Sequence, residues 1–409
     1  MRRAMTLSLI DQALLSAFNL GLSVLLIRFA SPAEFGLFSY VVAVLMILSS
    51  VHNALVATPI SVSIPGRPTE TKKKVLSVLL RVDHLLRGAL LAAAALLVVL
   101  VSTDVAFLAA AASACFFWLW RETHRGIAFA DGDAARALRI DTVAVLVSIA
   151  AVAALWRVFP PTLSALSGIA IGNALAVLLQ GTRHHLRPIA QAIADYGVFW
   201  REARWSLFGA ATTEAQFRGY VFAVQSFRGA DALGHVQAGR TLMGPLPLLA
   251  SAWARVARPA MNHALTERRT GDAHRTLWRG TLGVLGLSVV YLAALYLAWP
   301  LVETHLYQGR YPDIGIITIA WGIATFFSVS HICLGTYLQA ARRFRPLAFV
   351  SLAAAACSGT ALLVLATSVP VFYAIGAVAI GEFVALVYTL VLIFWQPVRA
   401  ADPLEESLS

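Results

Sequence analysis

The stretch Arg28-Phe29-Ala30-Ser31-Pro32-Ala33-Glu34-Phe35-Gly36-Leu37-Phe38-Ser39 decides the fold. It separates two long apolar runs, 6–29 and 35–57, by only a few residues. Each run supplies the roughly 20 apolar residues that a bilayer-spanning helix needs. Pro32 fixes its backbone angle and cannot donate a hydrogen bond, and Gly36 permits close helix approach. The stretch therefore reads as a tight turn between two spans. A related stretch, Phe227-Arg228-Gly229-Ala230-Asp231-Ala232-Leu233-Gly234, follows at an offset of 198.

Outward from these turns the chain keeps the same character. Hydrophobic residues make up 59% of its 409 and charged residues 13%, and mean hydropathy is +0.75. Soluble domains carry about 25% charged residues. Apolar runs recur at 6–29, 35–57, 84–103, 105–121, 140–157, 163–181, 205–227, 233–254, 277–299, 314–334, 346–367 and 371–394. These runs predict an all-α polytopic membrane protein of about twelve spans, with no room for a sizeable soluble domain. The segment 67–83, with Lys72, Lys73 and Lys74, reads as an interfacial helix on the membrane surface. Met1-Arg2-Arg3 could open a signal peptide, but Asp11, Gln12 and Asn19 interrupt any short apolar signal core, so an uncleaved first helix is expected.

The net charge of +11 would suggest nucleic acid in a soluble protein. Here 26 of the 32 Lys and Arg residues fall in one alternating set of inter-span segments, including Arg81, Arg87, Arg121, Arg125, Arg255 and Arg258. Four fall in the other set, and Arg218 and Arg240 lie inside spans. Positive residues accumulate on the cytoplasmic side, so both termini are expected in the cytoplasm and the span count is even. Cys115, Cys333 and Cys357 lie in apolar runs without metal-ligand spacing. Tryptophans 118, 120, 156, 200, 205, 278, 299 and 395 sit near span ends and read as an interfacial belt.

Two further matches keep the order of the first. Val56-Ala57-Thr58-Pro59 pairs with Val256-Ala257-Arg258-Pro259, and Leu85-Leu86-Arg87-Gly88 with Leu277-Trp278-Arg279-Gly280. They predict two parallel six-helix repeats, 1–187 and 188–409, around a central cavity.

The turn at 28–39 resembles the first external turn of polysaccharide (O-antigen/exopolysaccharide) flippases of the multidrug/oligosaccharidyl-lipid/polysaccharide exporter superfamily. The stretch around Ala232-Leu233-Gly234 is similar to that family's eighth-helix entry. The resemblance implies an inner-membrane flippase for lipopolysaccharide or exopolysaccharide biosynthesis. Its substrate would be polyprenyl-pyrophosphate-linked oligosaccharide, moved from the cytoplasmic to the external leaflet. Expected partners are that lipid-linked oligosaccharide, membrane lipids and other polysaccharide-assembly membrane proteins, with no cofactor and no nucleic acid. The chain departs from lipid II flippases in lacking room for their two additional helices.

Ionisable residues inside spans are costly and usually face a cavity or a partner. Glu214 and Arg218 share a helix face at four-residue spacing, so they form an ion pair or leave the arginine for substrate. Arg218 and Arg240 lie at similar depth in a helical hairpin. Two guanidinium groups there could grip a diphosphate through bidentate bonds, the alternative for Arg240 being snorkelling to the headgroups. Asn19, Asn53 and Gln237 would offer neutral hydrogen bonds to sugars, or bond between helices. His52, Gln216 and Gln225 have the same two readings, and Asp11 and Gln12 lie near the solvated helix end. His331 and Glu382 read as satisfied packing residues before cation or proton sites. No nucleotide, zinc or hydrolase signature occurs, so no catalytic or metal residue is assigned. Two competing readings are a cation-coupled multidrug antiporter and a membrane polysaccharide polymerase, ligase or acyltransferase. The first would favour a carboxylate-centred cavity, and the second a large external loop that the chain lacks.

Overall fold

A computed structural model of the chain describes residues 2–65, 67–180, 186–368 and 372–395. The described residues contain helices and turns and no strand. Among the described residues, ten helical stretches are long and apolar enough to cross a membrane. In the first half they are Thr6–Phe29, Pro32–Ser63, Thr69–Val99, Val105–Ala130, Ala134–Leu155 and Pro161–Leu178. In the second half they are Thr270–Leu297, Ile314–Ala340, Arg345–Val364 and Tyr373–Trp395. Of the two other expected spans, 205–227 lies within the helix Ile189–Thr241, and 233–254 is divided between the end of that helix and the start of Pro245–Thr266. Both carry charge within their length, at Glu214, Arg218, Arg240, Arg255 and Arg258.

We number the helices used below α1 (Arg2–Phe29), α2 (Pro32–His52), α3 (Thr58–Ser63), α4 (Thr69–Val99), α5 (Val105–Ala130), α6 (Ala134–Leu155), α7 (Pro161–Leu178), α8 (Ile189–Thr241) and α9 (Pro245–Thr266). After these come α10 (Thr270–Leu297), α11 (Trp299–Val302), α12 (Ile314–Ala340), α13 (Phe344–Ser368) and α14 (Phe372–Trp395).

Two sequence expectations are corrected here. The segment 67–83 is not a separate surface helix. It begins α4 and continues into the span without a break, because no Gly or Pro stands between Thr69 and Arg87. Arg87, Arg121 and Arg125 are not loop residues either. They lie inside α4 and α5, where Arg87 and Arg121 are each 2% exposed. Arg183 and Arg399, also counted in the charge tally, lie outside the described residues.

The deciding turn forms as its residues require. Ser31 caps α2: its hydroxyl accepts from the Glu34 amide at 3.2 Å, and the Ser31 amide donates to Glu34 Oε2 at 2.9 Å. This reciprocal arrangement satisfies two otherwise orphaned donors beside Pro32. The offset of 198 equates Ser31 with Gly229. There α8 is kinked, with Gly229 at φ 82° and ψ 179°. The two halves thus break a helix at matched positions with different chemistry, a capping box in one and a glycine in the other. That backbone region is open essentially to glycine alone, and strain there costs about 1–3 kcal/mol. Gly229→Ala should lower the thermal unfolding temperature of the purified protein. An unchanged transition would contradict the strain.

The chain divides into two compact units, Met1–Glu214 and Ala215–Ser409. The start of α8 and the residues just before it belong to the first unit, and three bonds tie them there. The Arg187 amide donates to the Ser77 carbonyl at 3.3 Å, and Arg81 Nε donates to the Arg187 carbonyl at 2.7 Å. Tyr196 donates its phenol proton to the Leu55 carbonyl at 2.6 Å. Leu55 lies in a π-helical turn, Asn53–Ala57, whose wider bond pattern leaves a carbonyl for this outside donor. Burial pushes the Tyr196 phenol up to about 12, so it stays protonated as a donor at neutral pH.

Within the first unit α6 and α7 pack backbone to backbone. A Cβ at Gly172 would overlap Ser148 Oγ and the Ala144 carbonyl. In the second unit Gly381 plays the same part, because a Cβ there would press on Ser358 and the Ala354 carbonyl. Small residues at such crossings are how spanning helices gain packing without a hydrophobic drive between them.

Candidate functional site

The kink at Gly229 folds α8 back on itself, so residues equally distant from it stand at similar depth. Arg218 and Arg240 are each eleven residues from Gly229. What meets Arg240 across the hairpin is Tyr220. Arg240 Nη1 donates to the Tyr220 hydroxyl, and that hydroxyl donates to Gln237 Oε1 at 3.0 Å. The Arg240 guanidinium carbon lies 5.3 Å from the Tyr220 ring centre and 5.2 Å from that of Trp321 on α12. The two rings meet edge to face with centres 5.2 Å apart, and Trp321 Nε1 donates to the Val236 carbonyl at 2.8 Å.

Tyr220 is 2% exposed and Trp321 3%, whereas Arg240 is half-buried. Among the described residues no carboxylate pairs with Arg240. Its charge is met by two aromatic faces and a phenol, which attract a cation but do not neutralise it. Guanidinium carries five N–H donors, and one is spent on Tyr220. The arrangement can therefore take an oxyanion through the remaining edge.

The other predicted residues divide between the units. Gln237 is brought to Arg240 through Tyr220. Arg218 stands two residues from Tyr220, about 200° around the helix, so it leaves α8 on the opposite side. Glu214 accepts from Ser50 Oγ of α2 at 2.6 Å, both in the first unit. Asn19 on α1 and Asn53 at the start of the π turn are exposed.

Sequence reading missed an ionic network in the first unit. Asp83 of α4 is the centre of one part. It binds Arg87 Nε at 3.0 Å, His52 Nε2 at 2.7 Å and the Thr123 hydroxyl at 2.9 Å, joining α2, α4 and α5. Arg125 of α5 is the centre of the other. It holds Asp11 of α1 at 2.8 Å and Asp141 of α6 at 2.7 Å, with Glu122 at 3.4 Å. Arg121 adds contacts to Glu122 at 2.8 Å and Asp141 at 3.5 Å.

Aromatics line these cations. Trp120 lies 5.1 Å from Arg87 and Trp118 lies 4.4 Å from Arg121, so these two tryptophans stack on arginines of the network. The signal present in the sequence was spacing: Asp83 and Arg87 are four apart, and Glu122 and Arg125 three apart. With every cation opposed by a carboxylate, this network clamps helices together and presents no uncompensated charge for a substrate anion.

Another buried carboxylate lies in the other unit. Glu382 of α14, 2% exposed, is 3.8 Å from His331 Nδ1 on α12 and accepts from Gln216 Nε2 of α8 at 3.4 Å. Residues that read separately as packing therefore meet, and the group has no Arg or Lys partner among the described residues.

No protein-family model matches the chain, and no curated protein sequence matches it. Solved structures do. An inward-facing multidrug resistance MATE family transporter of the MOP superfamily superposes with a TM-score of 0.73 at 14% identity, covering 94% of each chain. The lipid II flippase MurJ in its inward closed conformation gives 0.74 at 13% identity, over 96% of this chain and 87% of that one. A MOP superfamily transporter from Pyrococcus furiosus gives 0.56 at 14% identity, over 97% and 93%. The fold is thus the one these membrane transporters share, and at such identities the likeness is one of fold.

Proposed function

We propose that this chain is a flippase that moves polyprenyl-pyrophosphate-linked oligosaccharide from the cytoplasmic to the external leaflet by alternating access, for surface polysaccharide synthesis. The observation that carries the reading is Arg240, a half-buried cation without a carboxylate partner among the described residues. A membrane site built around unneutralised guanidinium favours an anionic cargo, and a diphosphate is the anion such a carrier lipid bears. The same fold in a lipid II flippase supports a lipid-linked substrate. Arg218, as far from Gly229 as Arg240 is, and Gln237 are further substrate-binding candidates in the second unit, and Asn19, Asn53 and Glu214 are polar candidates in the first. The deciding experiment is complementation of a strain lacking its own flippase, with analysis of the exported and accumulated glycan. Failure with every lipid-linked glycan offered, at normal protein abundance, would reject the reading.

The second reading, a cation-coupled multidrug antiporter, is favoured by Glu382, whose carboxylate meets His331 and Gln216 and has no Arg or Lys partner among the described residues. Glu382→Gln removes a buried charge while keeping hydrogen-bonding capacity, so abundance should hold. Under the antiporter reading it abolishes drug resistance conferred by the chain. If the wild-type chain confers no resistance to any cationic drug while complementing glycan export, the antiporter reading fails.

The proposed direction requires both termini in the cytoplasm. In a background without native cysteines, cysteine at 104, 159, 230 or 310 should label from outside the cell. Cysteine at 72, 132, 186, 268 or 343 should label only after permeabilisation. Strong outside labelling at 186 or 268 would reverse the orientation.

A further inference from the structure

We infer that Tyr220 and Trp321 are positioning residues that turn Arg240 into a preset receptor for an oxyanion. The inference rests on the flippase reading for its biological anion. It goes beyond that reading in assigning two residues, neither of which carries charge and neither of which would touch the cargo.

A long arginine side chain in a cavity samples many rotamers, and gripping an anion must freeze them. Here the freezing is already done. The guanidinium lies against two rings at 5.3 and 5.2 Å, which fixes its plane. The Tyr220 hydroxyl accepts from Nη1, which fixes its rotation within that plane. Gln237 takes the phenol's own proton at 3.0 Å, so the oxygen lone pairs are left to face Arg240. Trp321 is held in turn by the Val236 carbonyl at 2.8 Å.

Each partner is itself locked, so the fork does not pay to become ordered when an anion arrives. The rings also exclude water from one face, which strengthens whatever binds the open edge. Neither ring can serve as a sugar-stacking platform, because Tyr220 and Trp321 are 2% and 3% exposed. A cation that needed only burial would be served by a carboxylate. Aromatic faces instead retain the positive field for a ligand.

The chemistry recognised is a phosphate-type oxyanion or a sugar carboxylate, and the test separates them. The purified full-length protein in detergent is titrated with inorganic pyrophosphate and, separately, with glucuronate, by calorimetry and by tryptophan fluorescence. Wild type should bind pyrophosphate with a fluorescence change, because Trp321 lies against the binding guanidinium. Tyr220→Phe keeps the ring and loses the hydroxyl, and should weaken binding on the order of tenfold at an unchanged unfolding temperature. Trp321→Phe should retain weakened binding while losing most of the fluorescence response.

If wild type binds glucuronate and not pyrophosphate, the receptor stands and the source of the anion is an acidic sugar. If Arg240→Ala abolishes binding while Tyr220→Phe binds as wild type, positioning is overturned and the Arg240 reading survives. Should wild type bind neither anion, the receptor is overturned outright, whatever complementation reports about flipping.

Discussion

Arg125→Leu should sharply reduce the amount of folded protein in the membrane and lower its unfolding temperature in detergent. Arg125 touches Asp11 at 2.8 Å and Asp141 at 2.7 Å, and its side chain is 14% exposed. Asp11 is 1% exposed and Asp141 fully buried. Removing the cation leaves these carboxylates with unopposed charge in low dielectric, which costs about 3–5 kcal/mol when one partner of a buried pair is lost. The same three helices, α1, α5 and α6, lose their common tie. Arg121 remains at 3.5 Å from Asp141 and offsets part of the loss. The double variant Arg125→Leu with Asp11→Asn should recover stability relative to the single variant, because Asp11, whose printed cation partner is Arg125, is then neutral, while Asp141 keeps Arg121. Arg125→Leu with wild-type abundance and melting would show that the network does not hold the first unit together.

That network also marks where sequence reading reached its limit. Helix positions came from hydropathy, which sees apolar length, and the ten apolar spans lie where the runs lie. The turn at Ser31-Pro32 and its counterpart at Gly229 were legible because Pro fixes the backbone locally and Gly frees it for conformations closed to other residues. Arg87, Arg121 and Arg125 were misread because a window average treats a buried, neutralised arginine as a loop charge. The partners that neutralise Arg125 stand 114 and 16 residues away, at Asp11 and Asp141. Lys72, Lys73 and Lys74 misled in the same way, suggesting a surface helix where α4 simply extends beyond its apolar stretch.

In the second unit the depth of Arg240 followed from counting residues. Its surroundings did not, because Trp321 lies 81 residues on, in mid-span, with no local signal linking the two. His331 and Glu382 were likewise each unremarkable alone. Only the packing of α12 on α14 gives the histidine and the carboxylate a shared site.

Arg240→Ala is expected to abolish most glycan export while the protein still inserts at near-normal abundance. The two halves of that expectation have separate grounds. Abundance should survive because Arg240 has no carboxylate to orphan among the described residues, and because Tyr220 and Trp321 keep their own contacts with each other, Gln237 and Val236. Export should fall because a charge-assisted pair to a desolvated diphosphate is worth about 2–5 kcal/mol, or more than a tenfold change in occupancy. Arg240→Lys separates charge from shape. Lysine restores the positive charge but lacks the planar fork, makes a poorer stack on Tyr220 and Trp321, and should restore export only in part. A snorkelling anchor would behave differently, since either a lysine or a neutral residue at that depth would serve and export would stay close to wild type in both variants. Complementation measured beside membrane abundance therefore decides the role of Arg240, with Arg240→Ala at full export the result that removes it from the substrate path.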